Sequence, residues 1–205
     1  MRVKPVPVPP SAVDRLLDIR DALPLVPEPE ESCCERLVSR ANVEDAETAR
    51  DWLTFLRGLG LAAEGSSGYY RTREEPDDSE TPPASRAAGA SGSDDVTERS
   101  SVSSQPESGN VTERSSTGRR IPSGDLDRAL IEGVYGAREV YAILEGAEDP
   151  LTADEVFERF EAVPRWERRR NPDWEGVWRE RVGRLLGWLT LIGRAERVEG
   201  GYRAA

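Results

Sequence analysis

Apolar residues recur at intervals of three and four in two stretches of this chain, and a long polar stretch separates them. In the first, Val13, Leu16, Leu17 and Leu23 follow Ser11, which predicts a helix capped by that serine. Prolines at 24, 27 and 29 end it, and Cys33, Cys34, Leu37 and Val38 predict a second helix over about 30–39. A third helix, about 45–59, carries the stripe Ala49, Trp52, Leu53, Leu56 and Leu59, which sets one apolar face on a core. Gly60 stops it. Residues 61–64 and 69–72 then read as two strands around the turn Gly65-Ser66-Ser67-Gly68.

The second stretch repeats this order. A helix is predicted over 126–144, and Thr152 caps another that runs to about 162, with Glu155 placed for a capping box. A long third helix over 172–192 carries Trp174, Val177, Trp178, Val182, Leu185, Leu186, Leu189 and Ile192. Gly193 stops it, and a hairpin turning at Gly200-Gly201 follows. The halves align without gaps at an offset of 133, which sets Leu53, Leu56, Gly60, Gly68 and Tyr69 on Leu186, Leu189, Gly193, Gly201 and Tyr202. Trp52, Trp178 and Trp188 belong to the core, Trp174 stands at a helix start, and Tyr69 and Tyr202 pack each hairpin onto its third helix.

Helix, helix, long helix and a Gly-turned hairpin is the order of a winged helix-turn-helix domain, and each half resembles one. The fold class is therefore mainly α with small β-hairpins (α+β): two winged-helix domains joined by a disordered linker. Residues 1–10 read as an N-terminal tail, 11–73 as the first domain, 74–120 as the linker and 121–205 as the second domain. The linker is Ser, Gly, Pro, Thr, Asp and Glu with almost no large apolar residue, and it repeats VTERSS at 96–101 and 111–116. Such a composition buries too little apolar surface to offset its chain entropy.

Charge narrows the chemistry. There are 39 acidic against 28 basic residues, a net charge of −11, and no histidine. Lys4 is the only lysine; the other basic residues are arginine. This balance resembles proteins of salt-adapted archaea, in which acidity is a solubility device. In molar salt the Debye length is about 3 Å, so surface charges attract only near contact. Without imidazole, His-dependent triads and HExxH sites are excluded. No Gly-rich phosphate loop, nucleophile elbow or paired-carboxylate constellation is present, so no enzyme and no cofactor are expected. Cys33 and Cys34 are adjacent, lack a second pair, and point about 100° apart on a helix, so one faces the core and no metal site is expected. No apolar run approaches the roughly 20 residues of a membrane span, and MRVKPVPVPP has no secretory apolar region; a reduced cytoplasmic location follows.

In winged-helix proteins the third helix usually enters the major groove and the wing flanks it. The N-terminal third helix is poorly suited, because Glu44, Asp45, Glu47 and Asp51 outnumber Arg50 and Arg57. Its wing offers Arg71 and Arg73. That half is read as contacting a protein partner or a second copy. The C-terminal half holds the densest basic stretch, with Arg165, Trp166, Arg168, Arg169 and Arg170 in the connecting loop before its third helix. Arg179, Arg181 and Arg184 follow on that helix, and Arg194, Arg197 and Arg203 lie on the wing. Arginine forks fit phosphate and guanine edges, so these residues form the candidate surface for double-stranded DNA. Glu167, Asp173, Glu175 and Glu180 lie among them, and an Arg–Glu salt-bridged surface with Trp166 closing the core is the competing arrangement. The resemblance thus implies a DNA-associated regulator, transcriptional in role. The alternative is a non-enzymatic scaffold like the tandem winged-helix segregation and condensation proteins or archaeal transcription factor E-like proteins.

Overall fold

A computed structural model of the chain describes residues 2–72 and 123–205. The expected linker, both VTERSS repeats and Arg73 lie outside the described residues. The first half has α1 (Val13–Asp21), α2 (Glu30–Ala41), α3 (Ala46–Gly58) and the antiparallel pair β1 (Ala62–Gly65) and β2 (Gly68–Arg71). Asp45 caps α3 by accepting from the Thr48 amide at 2.7 Å. Ser11 does not cap α1. The N-cap is Ala12, so the serine hydroxyl sits one residue before the position from which it would reach the first free amides.

The second half has α4 (Ser123–Gly133), α5 (Ala137–Glu145), α6 (Ala153–Arg159), α7 (Arg165–Arg170) and α8 (Trp174–Leu191). The antiparallel pair β3 (Ala195–Val198) and β4 (Gly201–Ala204) closes it. Thr152 and Glu155 form the expected capping box on α6. The single helix expected over 126–144 is two, α4 and α5. The chain breaks because Gly136 takes φ +90° and because the Val134 region pairs with the N-terminal segment. Val3 donates its amide to Gly133 O at 2.8 Å, and Tyr135 donates to Val3 O at 2.9 Å.

Both halves are winged helices, formed by α1-α2-α3-β1-β2 and α5-α6-α8-β3-β4. Each hairpin gains a third short partner, since Glu28 bridges to Tyr69 and Leu151 to Tyr202. The matched glycines are required there. A Cβ on Gly68 would lie 1.8 Å from Glu28 O, and one on Gly201 would lie 2.3 Å from Leu151 O. Their φ values, +129° and +152°, also favour glycine.

The two halves pack on each other and form one compact unit. Leu53 and Leu56 in α3 are buried like their counterparts Leu186 and Leu189 in α8. But α3 carries a second buried face, Trp52 and Phe55, continued by Leu59 at its C-cap. Phe55 and Trp188 of α8 lie 4.6 Å apart between ring centroids, and Trp52 closes edge to face on both. Residues 2–10, read from sequence as part of the tail, pack against the core. Val3 and Val6 are buried, Trp188 Nε1 donates to Pro7 O at 2.8 Å, and Arg184 donates to Val6 O at 3.0 Å. The segment therefore fills the seam between the third helices. Cys33 and Cys34 are both buried, rather than one of them.

Candidate nucleic-acid interface

The stretch 164–171, read from sequence as a connecting loop, contains the short helix α7. Pro164 is its N-cap and Arg168, Arg169 and Arg170 form its last turn, the end at which cations complement the helix dipole. Asn171 is extended ahead of Pro172, as a residue preceding proline prefers, and the helix stops there.

Arg165, Arg168, Arg169 and Arg170 are all exposed, and among the described residues none has an ion pair. Arg168 lies over the Trp174 ring at 4.9 Å. Trp166 is 54% exposed and so does not close the core. Glu167, the one carboxylate of the helix, turns inward. It accepts from Trp178 Nε1 at 2.6 Å and pairs with Lys4, whose ammonium lies over the Trp166 ring at 4.2 Å.

The arginines of α8 and the second wing are held differently. Arg179 pairs with Asp154 and lies over Phe157. Arg184 pairs with Glu180 as well as binding Val6 O. Arg181 is half-buried and donates to Tyr135 O at 2.7 Å; burial pulls its pKa down to about 10, against the charge of Glu167. Arg194 pairs with Asp127, and that hydrogen bond holds it above the usual guanidinium range. Arg197 lies over Tyr202 at 5.8 Å, and Arg203 pairs with Glu196 at 2.8 Å. The eleven candidate positions thus divide. Arg165, Trp166, Arg168, Arg169 and Arg170 stand together, the arginines without an ion pair among the described residues; Arg197 stands on the wing; and Arg179, Arg181, Arg184, Arg194 and Arg203 are bound to other protein groups.

The first half offers less free charge. Arg50 pairs with Glu30 at 3.0 Å, Arg57 with Glu64, and Arg71 of the wing with Asp21 at 2.8 Å. Asp51 has its carboxyl pushed up by burial and by Glu47, with Arg184 opposing. Leu25 and Val26, 52% and 64% exposed, form an apolar loop tip whose neighbour Pro27 lies against Gly65 of the first wing. Lys4 was not singled out by sequence reasoning; its signal was its rarity and its place between Val3 and Val6 in a run of prolines. Among the described residues, no His, Cys, Asp or Glu group could hold a metal ion, and no helix is long and apolar enough to cross a membrane.

A family model described as the halobacterial double winged helix domain matches residues 1–113 and 107–205. No curated protein matches the chain, and no solved structure does.

Proposed function

The chain belongs to the halobacterial double winged helix domain family, and from this premise we propose that it is a DNA-associated regulatory protein, transcriptional in role, that holds duplex phosphates through α7. Winged-helix domains generally bind DNA, which makes a nucleic-acid partner the first expectation. The carrying observation is the set of four exposed arginines on α7, none with an ion pair among the described residues, beside an exposed indole in a protein of net charge −11. Elsewhere in this half most arginines are matched to a carboxylate or a carbonyl. An unmatched guanidinium cluster is free to take phosphate oxygens in bidentate pairs.

The mode differs from the common one. The second faces of α3 and α8 bury Trp52, Phe55 and Trp188 against each other, so neither third helix presents its full length to a major groove. Contacts from α7 and from Arg197 go to the backbone, and phosphate contacts position a protein without reading sequence. A cytoplasmic location, with the DNA, goes with this reading. No catalytic role is assigned.

A second reading has its own observation. The buried third helices and the exposed tip of Leu25 and Val26 suit a scaffold that binds a protein through its N-terminal half. The test is a titration of fluorescent duplex with wild type and with Arg168, Arg169 and Arg170 all changed to Gln. The DNA reading expects weaker binding and a salt slope reduced by about one unit for each arginine withdrawn from a phosphate. Unchanged affinity and slope in a folded triple variant would remove α7 from the interface and favour the scaffold.

A further inference from the structure

We propose that Lys4 keeps the α7 arginines available to an anionic partner by holding Glu167 away from them, which makes it a positioning residue of the candidate interface. The proposal rests on the nucleic-acid reading of α7 only for its binding consequence. Its electrostatic part stands on the geometry alone.

Glu167 is the sole carboxylate within a run of four arginines. On a helix it is three residues before Arg170, a spacing at which Glu and Arg side chains meet. A carboxylate left free there would take Arg170 as its partner. In the structure it does not. Glu167 is 19% exposed in its side chain, accepts from Trp178 Nε1 at 2.6 Å and pairs with Lys4. The Trp178 indole is neutral, so its hydrogen bond leaves the carboxylate charge uncompensated. Arg181 also acts on Glu167 through space, but it forms no ion pair with it and turns one guanidinium nitrogen to Tyr135 O. Among the described residues, Lys4 is therefore the one cation that forms an ion pair with Glu167.

Lys4 is also well fixed. Its ammonium lies 4.2 Å from the Trp166 ring centroid and 5.9 Å from that of Tyr135. Its neighbour Val3 is anchored by the hydrogen bonds to Gly133 and Tyr135. The N-terminal segment thus delivers a single ammonium to the inner side of α7, and the outer side keeps its four guanidinium groups. Charge on one face of the helix is matched so that charge on the other remains free.

The experiment compares wild type, Lys4→Met, Lys4→Gln, Lys4→Arg, Glu167→Gln and the double variant Lys4→Met/Glu167→Gln. Two readouts are taken at low salt: solvent exchange of the arginine Nε–H groups by NMR, and duplex titration. Without Lys4 the exchange of Arg170 Nε–H slows as Glu167 captures it, DNA affinity falls by about tenfold, and the salt slope drops by about one unit. Lys4→Arg restores both, and the double variant does too, because the competing carboxylate is gone. Unchanged Arg170 exchange in folded Lys4→Met or Lys4→Gln overturns the proposal. So does an equal loss of affinity from Lys4→Met in the Glu167→Gln background, since Lys4 would then be touching phosphate itself. If wild type binds no duplex, the reading of α7 fails, while the exchange comparison still decides what Lys4 does.

Discussion

Trp52 and Trp188 meet edge to face with their ring centroids 5.9 Å apart, so the third helices of the two winged-helix halves pack against each other. Phe55 completes the cluster, and Trp188 ties it to the N-terminal segment through Pro7 O. One hydrophobic core runs through both halves.

A shared core predicts shared stability. Leu56→Ala and Leu189→Ala should each cost about 2–5 kcal/mol, the usual range for a buried leucine. Because Trp52, Phe55 and Trp188 join the halves, each change should lower one common unfolding transition. Denaturant titrations followed by tryptophan fluorescence and circular dichroism would check this. Two transitions, each moved by one variant only, would show that the halves unfold apart.

The seam also sets a steric limit. A Cβ on Gly133 would stand 1.8 Å from Gly58 O, a backbone atom that cannot move without shifting α3. Gly133→Ala should therefore destabilise by about 1–3 kcal/mol or more. Gly183, inside α8, has nothing within 4 Å of its Cβ position. Gly183→Ala should be neutral or stabilise by up to about 1 kcal/mol, through helix propensity. Denaturation midpoints of the pair, at a common slope, give the comparison.

Much of this arrangement was legible in the chain, for definite reasons. Leu53, Leu56, Leu186 and Leu189 gave the buried faces of both third helices through helical spacing, and the glycine pairs gave both hairpins. The seam was not legible. Trp52 and Leu59 belong to a second face of α3, and a periodicity reading merges them into the first stripe and passes over Phe55. Residues 1–10 read as a tail because two buried valines among prolines carry no helical or strand period. The run that forms α7 has no apolar period at all, so it read as a loop. In the candidate interface the arginines were legible as residues, but not their pairing. Arg179 finds Asp154 and Arg194 finds Asp127, partners far away in sequence that only the fold brings near.

The buried thiol gives a pH dependence. Burial first, then the charge of Glu28, pushes Cys33 from an ordinary 9.0 up to about 11. Below pH 9 the folded and unfolded chains both keep the proton, so the contribution is fully present. Between about 9 and 11 the unfolded chain releases it and the folded chain does not, so stability falls by at most about 1.4 kcal/mol per pH unit. Burial raises Tyr69 and Tyr135 too, which adds to the fall. Unfolding midpoints of wild type and Cys33→Ala across this window should converge as pH rises. Parallel curves would show that the thiol titrates normally.

The most direct measurement for α7 is the salt dependence of duplex binding by the full chain, on two duplexes of unrelated sequence. Phosphate contact by Arg165, Arg168, Arg169 and Arg170 predicts a slope of log affinity against log salt of about −3 to −4, at roughly −0.9 per contact. The two duplexes should bind alike, because phosphate contacts carry no sequence information. Absence of binding even at the lowest salt would contradict the account. So would binding confined to one duplex with a slope shallower than about −1.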